Sequence, residues 1–480
     1  MTNKFHQSIL RAYDIRGIYN ETLFDNDAYF VGKCFAQILI RQNLNKIAIG
    51  FDGRISSPIL KDRLVQGLLE SGIDVFEIGL GPTPMLYYSV YELNLDAGIM
   101  VTGSHNPKDH NGFKMMIKNQ NFYGENILEL VKILEQDNFV KPQRLGKLEI
   151  VDIKQNYVSR LLQDCILSMS ESGLENDLAI ENFNNQRKLK IAWDCGNGSA
   201  GEVATMLSNR LDAEHFLIYN DIDGDFPNHH PDPTEAKNLQ DLIAVVKQEN
   251  CDFGIAFDGD GDRIGVVANS GEIIWGDQLL IFFARDILEK KPHSTIIADV
   301  KASGLLFDEI KKANGKPIMW KTGHSLIKAK MKEQSASLAG EMSGHIFFAD
   351  NYYGFDDALY ASIRLINIMA NSSKTLSEML NELPKTYSTP EIRINSSDEQ
   401  KFKIVENLKN LLVKNGENFI DIDGVRANTD IGWWLIRASN TQPVLVARCE
   451  ANSLKNLEII KQNLREKLTY SQIKIPQELQ

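Results

Sequence analysis

From residue 45 onward, short apolar runs alternate with stretches whose apolar positions recur every three to four residues. Residues 46–51 form a run, 58–71 carry helical spacing, 72–78 form a second run, 83–93 a second helical stretch, and 97–101 a third run. Strand-like runs interleaved with helical stretches predict crossover connections, hence a parallel sheet covered by helices. The rhythm returns as strand 189–194, helix 196–208, strand 215–219, helix 238–250 and a closing run at 252–257. It returns a third time as helix 276–290, strand 295–299, helix 303–314 and strand 316–320. The last hundred residues read differently, with helices at 402–414 and 454–468 around short strands at 419–422, 433–438 and 444–449. Three α/β units in series followed by a smaller α+β unit are therefore expected. Turn-rich breaks near 143–154, 268–272 and 384–390 divide them into 1–148, 149–270, 271–384 and 385–480.

Length and composition narrow the class. At 480 residues the chain has room for three or four cores, and 43% hydrophobic with 24% charged residues is ordinary for a globular protein. No run of about 18 apolar residues offers a membrane span, and the polar residues among 1–10 do not read as a secretory signal, so a cytoplasmic protein is expected. Five scattered cysteines without a Cys-x-x-Cys pair indicate neither a disulfide framework nor a zinc site. A net charge of -12 argues against nucleic acid or an anionic membrane as partner. An anionic substrate then needs a locally positive pocket.

Four loops carry candidate chemistry. Residues 102–107, Thr-Gly-Ser-His-Asn-Pro, follow the run 97–101 and so place Ser104 at the carboxyl end of a strand, where ligands gather in α/β sheets. A serine can carry a phosphoryl group if a cation and a base assist; a simple Ser/Asn/Pro turn is the alternative. His105 is not expected to pair with Ser104, since neighbours on an extended segment point apart. Residues 257–263, Phe-Asp-Gly-Asp-Gly-Asp-Arg, lie between apolar strands and put three carboxylates at alternate positions, a set suited to one hard cation such as Mg²⁺. The acidic loops at 221–225 and 421–424 are expected to be plain turns. Residues 340–345, Gly-Glu-Met-Ser-Gly-His, offer a carboxylate, a hydroxyl and an imidazole to a hydroxyl-rich ligand, or form a satisfied turn. Residues 437–443, Arg-Ala-Ser-Asn-Thr-Gln-Pro, gather donors that fit a phosphate dianion, or form a capped turn.

In that order the four motifs resemble the α-D-phosphohexomutase superfamily across essentially the whole chain. Asp-Val-Lys at 299–301, Trp-Lys-Thr-Gly-His at 320–324 and Met342 are most similar to the bacterial phosphomannomutase/phosphoglucomutase branch. Gly103, where alanine is common, is the one departure, expected to touch nothing the chemistry needs.

The resemblance implies three similar α/β mixed-sheet domains and a C-terminal α+β domain around a central cleft. It also implies reversible phosphoryl transfer between C1 and C6 of mannose or glucose phosphates through a phosphoserine and a bisphosphorylated sugar, the choice of sugar staying open. On it, Ser104 is the phosphoserine and joins Asp258, Asp260 and Asp262 around one Mg²⁺. Glu341 and Ser343 hold sugar hydroxyls with His345 supporting the loop. Arg437, Ser439, Asn440 and Thr441 grip the phosphate that is not transferred, Tyr13, Arg16, Lys301 and His324 line the cleft, and Lys114 and Arg263 sit beside the serine. Lys114 or Arg16 handles the hydroxyl proton. A hexose 1,6-bisphosphate acts as activator, sugar phosphates are the partners, and the chain is a monomer or weak oligomer. An aspartyl-type magnesium phosphatase and a non-catalytic sugar-phosphate binder are the competing classes: the first would survive loss of Ser104, and the second would bind without phosphorylating it.

Overall fold

A computed structural model of the chain describes residues 4–167, 188–440 and 442–480. Four sheets succeed one another along it. In the first, strands Ile15–Ile18, His110–Ile117, Ala97–Val101, Lys46–Phe51, Asp74–Leu80 and Leu148–Ile150 lie side by side, with Gln120–Asn121 turned back on His110–Ile117. The second runs Ile273–Ile274, Ile264–Ala268, Phe253–Phe257, Lys190–Asp194, Glu214–Ile218, and the third Lys316–Trp320, Thr295–Asp299, Leu338–Gly340, Ile346–Phe348.

The parallel order expected from the α/β rhythm holds for the inner strands and for one edge of each α/β sheet, where Leu148–Ile150, Glu214–Ile218 and Lys316–Trp320 pair in parallel with their neighbours. Lys46–Phe51 pairs in parallel with both Asp74–Leu80 and Ala97–Val101, but His110–Ile117 joins Ala97–Val101 antiparallel. The same switch occurs between Phe253–Phe257 and Ile264–Ala268, and between Leu338–Gly340 and Ile346–Phe348. A two-strand hairpin needs no crossover helix, so the helical rhythm is silent there; the sheets are mixed, as the resemblance implies, and the two apolar strands read around residues 257–263 form one such hairpin. The fourth sheet is antiparallel throughout: Tyr387–Ser388, Val444–Ala451, Gly432–Ala438, Val425–Thr429 and Phe419–Ile420, with Ile392–Asn395 also on Val444–Ala451.

These hairpins position the site. Each of the four candidate loops joins two antiparallel neighbours: residues 102–109, 258–263, 341–345 and 439–443. In the α/β units the first strand of each hairpin also belongs to the parallel core, so the loop leaves its carboxyl end, where α/β folds bind ligands.

Helices cover both faces of the first sheet. Asp25–Arg41 and Ser57–Glu70 pack against each other on one face, brought close by two glycines. A Cβ at Gly32 would stand 2.4 Å from the Leu64 carbonyl oxygen, and one at Gly67 would stand 2.2 Å from that of Tyr29. The other face, with Thr83–Glu92, merges into an apolar core that continues through the second and third sheets to Leu383. The C-terminal unit has a separate core between Ile392 and Leu479.

Candidate active site

Ser104 is 3% exposed and adopts a left-handed backbone conformation, φ 49°. Its Oγ donates to Asp258 Oδ2 at 3.2 Å and also lies 3.2 Å from His105 Nδ1. The expectation that Ser104 and His105 point apart is thus wrong. It assumed extended backbone, and a positive φ at Ser104 swings the neighbouring ring toward the hydroxyl. Burial, then the charges of Arg263 and Arg16, push the His105 imidazole well below its ordinary range. The sequence also misjudged Gly103: a Cβ there would stand 2.2 Å from Arg54 Nε and 2.7 Å from the His110 carbonyl oxygen.

Behind the serine, Asp258, Asp260 and Asp262 are wholly buried, and one carboxylate oxygen of each lies within 4.8 Å of the others. Gly261 takes a positive φ of 70°, letting the loop fold back between its strands. Thr83 Oγ1 donates to Asp260 Oδ2 at 2.5 Å, and Lys114 Nζ reaches Asp260 Oδ2 at 2.6 Å and Asp262 Oδ2 at 2.5 Å. Burial and its two carboxylate neighbours drive Asp258 far above the ordinary carboxylate range. For Asp262 burial acts in the same direction, but Lys114 and His345 outweigh it and hold that carboxyl low. Lys114, Arg263 and His345 surround the three carboxylates, yet Asp260 Oδ1 is buried without a hydrogen-bond partner. An all-oxygen donor set of this kind can hold a hard divalent cation.

The other two loops face this pair across a cavity of about 1170 Å³. Glu341 Oε1 accepts from Gly323 N at 2.6 Å, and Oε2 lies 3.1 Å from His345 Nδ1. Burial pushes Glu341 up, but His345 and Lys301 prevail and bring it to about 2. His345 Nε2 also lies 3.2 Å from Asp262 Oδ1 and 3.2 Å from Arg263 Nε; against its burial, Asp262 and Glu341 raise it to about 9. Ser343 Oγ is 3.1 Å from His345 Nδ1. At the far side Arg437 Nε donates to Asp423 Oδ2 at 2.9 Å, Ser439 Oγ accepts from Gln442 N at 3.2 Å, and Asn440 Nδ2 donates to Tyr13 OH at 2.7 Å. Thr441 lies outside the described residues.

Tyr13 passes its own hydrogen to the Thr322 carbonyl at 2.9 Å. Arg16 pairs with Asp14 and donates to the Gly103 carbonyl at 2.5 Å, Lys301 Nζ is 3.1 Å from Glu391, and His324 Nδ1 is 3.2 Å from Asp356. All the expected residues among those described line the cavity except the three aspartates, which lie behind Ser104 and Lys114. Eight arginines and lysines line it against five carboxylates, a cationic hollow in an acidic chain and the one a phosphate ligand needs. The sequence reading passed over Asp52, Arg54, Thr83, Asp356 and Glu391. It also set the 421–424 loop aside as a plain turn, although Asp423 there holds Arg437 and accepts from Thr322 N at 3.1 Å. Only Asp52 and Arg54 had a usable signal, lying just past the carboxyl end of strand 46–51.

Four units presenting these loops to one cleft have the architecture of a phosphohexomutase. Sequence matches to phosphoglucomutase/phosphomannomutase alpha/beta/alpha domains I, II and III cover residues 7–141, 172–271 and 275–387, and a match to the C-terminal domain of the same family covers 391–467. The chain is 43% identical over 461 residues to the phosphomannomutase/phosphoglucomutase of Pseudomonas putida, covering 96% of this chain and 95% of that protein. It is 42% identical to a phosphoglucomutase of Neisseria gonorrhoeae, covering 96% of each. The crystal structure of a phosphoglucomutase/phosphomannomutase family protein from Burkholderia thailandensis superposes with a TM-score of 0.89 at 40% identity, covering 98% of this chain and 99% of that one. The chain belongs to the phosphoglucomutase/phosphomannomutase family, in the bacterial branch of the α-D-phosphohexomutase superfamily.

Proposed function

We infer that the enzyme moves a phosphoryl group reversibly between C1 and C6 of a hexose phosphate, mannose or glucose, with Ser104 as the carrier. The observation that carries this reading is Ser104 Oγ, donating to Asp258 at 3.2 Å beside a buried carboxylate triad and opening onto the cationic cavity. In the forward half-reaction the sugar hydroxyl oxygen bonds to phosphorus as the bond to Ser104 Oγ breaks, leaving a 1,6-bisphosphate. The intermediate reverses in the cleft and returns its other phosphate to Ser104.

Asp258, Asp260, Asp262 and the serine phosphate would hold one Mg²⁺. Bound there, the ion would neutralise charge on the transferring group, the main electrostatic need of phosphoryl transfer. Arg263, whose Nε lies 3.9 Å from Asp258 Oδ2, adds to that charge. Glu341 and Ser343 hold sugar hydroxyls with His345 bracing their loop. Arg437, Ser439, Asn440 and Thr441 grip the distal phosphate, and Tyr13, Arg16, Lys301 and His324 complete the walls.

Lys114 or Arg16 is assigned the hydroxyl proton, giving one of its own to Ser104 Oγ as the phosphoryl group leaves and taking up that of the sugar. Both are cations in this arrangement, since burial lowers each but carboxylate partners more than restore it. A cation so placed can exchange protons without a net change of charge while it neutralises the transferring group, and nearly full activity after replacing each would sink the assignment. A trace of hexose 1,6-bisphosphate keeps Ser104 phosphorylated. The enzyme is assigned to the cytoplasm, as a monomer or weak oligomer built of units 1–148, 149–270, 271–384 and 385–480.

The test is isomerisation of mannose 1-phosphate and glucose 1-phosphate, with Mg²⁺ and trace bisphosphate, by the wild type and by Ser104→Ala. Turnover that collapses in the variant supports the serine carrier, whereas activity surviving in the variant or absent from the wild type overturns it.

A further inference from the structure

We propose that Arg54 is a positioning residue for Ser104, fixing the serine loop in the conformation that aims its hydroxyl at Asp258. The inference rests on the reading of Ser104 as phosphoryl carrier.

Arg54 is 1% exposed and spends its guanidinium on the serine loop. Nη2 donates to the carbonyls of Ser104 and Asn106, both at 2.6 Å, and Nη1 to those of Pro107 at 2.5 Å and His110 at 3.0 Å. Nε donates to Asp52 Oδ2 at 3.2 Å. The same carboxylate accepts from Gly103 N at 3.0 Å and Thr102 Oγ1 at 2.8 Å, so one ion pair holds the loop before and after the serine. Four carbonyl dipoles converging on one point repel each other, and a planar fork of N–H donors is the side chain that can satisfy them together.

Two further features tie Arg54 to the hydroxyl's direction. Ser104 sits at a positive φ that a residue with a Cβ leaves readily unless held, and the carbonyl of that same residue is one of Arg54's acceptors. Gly103 supplies the room: a Cβ there would stand 2.2 and 2.3 Å from Arg54 Nε and Cζ. The second unit covers the arrangement. Phe226 lies 5.2 Å from Arg54 Cζ, and Lys108 of the serine loop pairs with Asp225 at 2.8 Å. Gly224 packs so tightly that a Cβ would stand 2.6 Å from the Gly53 carbonyl oxygen. The 221–225 loop, expected to be a plain turn, is thus a cover over Arg54.

Phosphoryl transfer needs its oxygen in line to within fractions of an ångström, so a loosened loop should slow the step without changing how sugar phosphate binds. The experiment measures the rate of turnover per serine that can be labelled by glucose 1,6-bisphosphate, with KM, in the wild type, Arg54→Lys and Phe226→Ala. Lysine keeps the charge but cannot span four carbonyls. Its expected rate per labelled serine is about 100-fold below wild type, with KM within threefold; for Phe226→Ala a drop of about threefold is expected. A merely structural role lowers the titre of labelled serine and leaves the rate per site unchanged. Rates per site at the wild-type value in both variants overturn the proposal. If Arg54→Lys does not fold, the Phe226→Ala rate decides alone. Failure of the wild type itself to label Ser104 strikes the serine reading instead.

Discussion

At the serine end of the cleft three units of the chain share one continuous apolar core, and at the opposite end the C-terminal unit keeps a core of its own. Across the first junction the ties are buried charge and close backbone: Lys114 on Asp260 and Asp262, Thr83 on Asp260, Ser104 on Asp258. Across the second the apolar contact is small, Val300 against Trp433 and Leu435, and the rest is polar. Arg426 donates to the Val300 and Ala302 carbonyls at 2.7 and 2.8 Å, Glu450 accepts from Gly304 N at 2.9 Å, and Lys301 meets Glu391. Polar seams of this kind let domains shift, whereas shared cores do not. On the function proposed above, the reacting groups would be placed once, by folding, while the phosphate grip would be free to open and close on a ligand that must turn over.

The largest effects should come from the fixed end. Ser104→Ala is expected to lower kcat by at least about 10³-fold with little change in thermal stability, as loss of a covalent carrier does. Asp260→Asn, or chelation of divalent cations, should cost about 10²- to 10³-fold in kcat, restored by Mg²⁺ only in the chelated wild type. At the gripping end the same kind of deletion should be milder and fall on kcat/KM: Arg437→Ala by about 10- to 100-fold, the worth of a charged hydrogen bond. Tyr13→Phe, which removes the donor to Thr322, should cost only about 2- to 10-fold, measured as a rise in KM. An Arg437→Ala loss as large as that of Ser104→Ala would erase the distinction.

Two carboxylates sharpen the comparison through opposite pH slopes. Burial raises Asp357, inside the three-unit core, to about 7 although Tyr360 N, Tyr157 and Tyr352 donate to it. The folded chain keeps this proton to higher pH than the unfolded chain, so its contribution falls as pH rises from the ordinary carboxylate range to about 7. At the seam, Lys301 overcomes burial and lowers Glu391 to about 2. That stabilisation is complete above the ordinary glutamate range and disappears as pH falls toward 2. Melting curves between pH 4 and 8 should show Asp357→Asn gaining on wild type toward pH 8, and Glu391→Gln closing its deficit toward pH 4; parallel curves would refute both assignments.

Much of the three α/β units was legible because strand and helix rhythms are local. The strands Lys46–Phe51, Ala97–Val101, Thr295–Asp299 and Lys316–Trp320 and the helix Gly276–Lys290 fall on the expected residues. The helix Ala358–Ala370 went unassigned because ten of its residues are buried, leaving little polar face to mark its turns. Ile392–Asn395 and Val425–Thr429 escaped because they are short and interrupted by Arg393 and Arg426. The serine, aspartate, Gly-Glu-Met-Ser-Gly-His and arginine loops were legible because each is contiguous. Arg54 and Asp356 were not, because each acts on a group tens of residues away in sequence: Arg54 on Ser104 and Asp356 on His324.

By itself, then, the sequence determined the α/β rhythm, the four chemical loops and the family, all set by residues near one another along the chain. Tertiary structure decided the antiparallel edges, the left-handed turn at Ser104, the burial that gathers three aspartates against Lys114, Arg263 and His345, and the polar seam at the C-terminal unit. Those depend on which surfaces exclude water against each other, and no window of neighbouring residues contains that information.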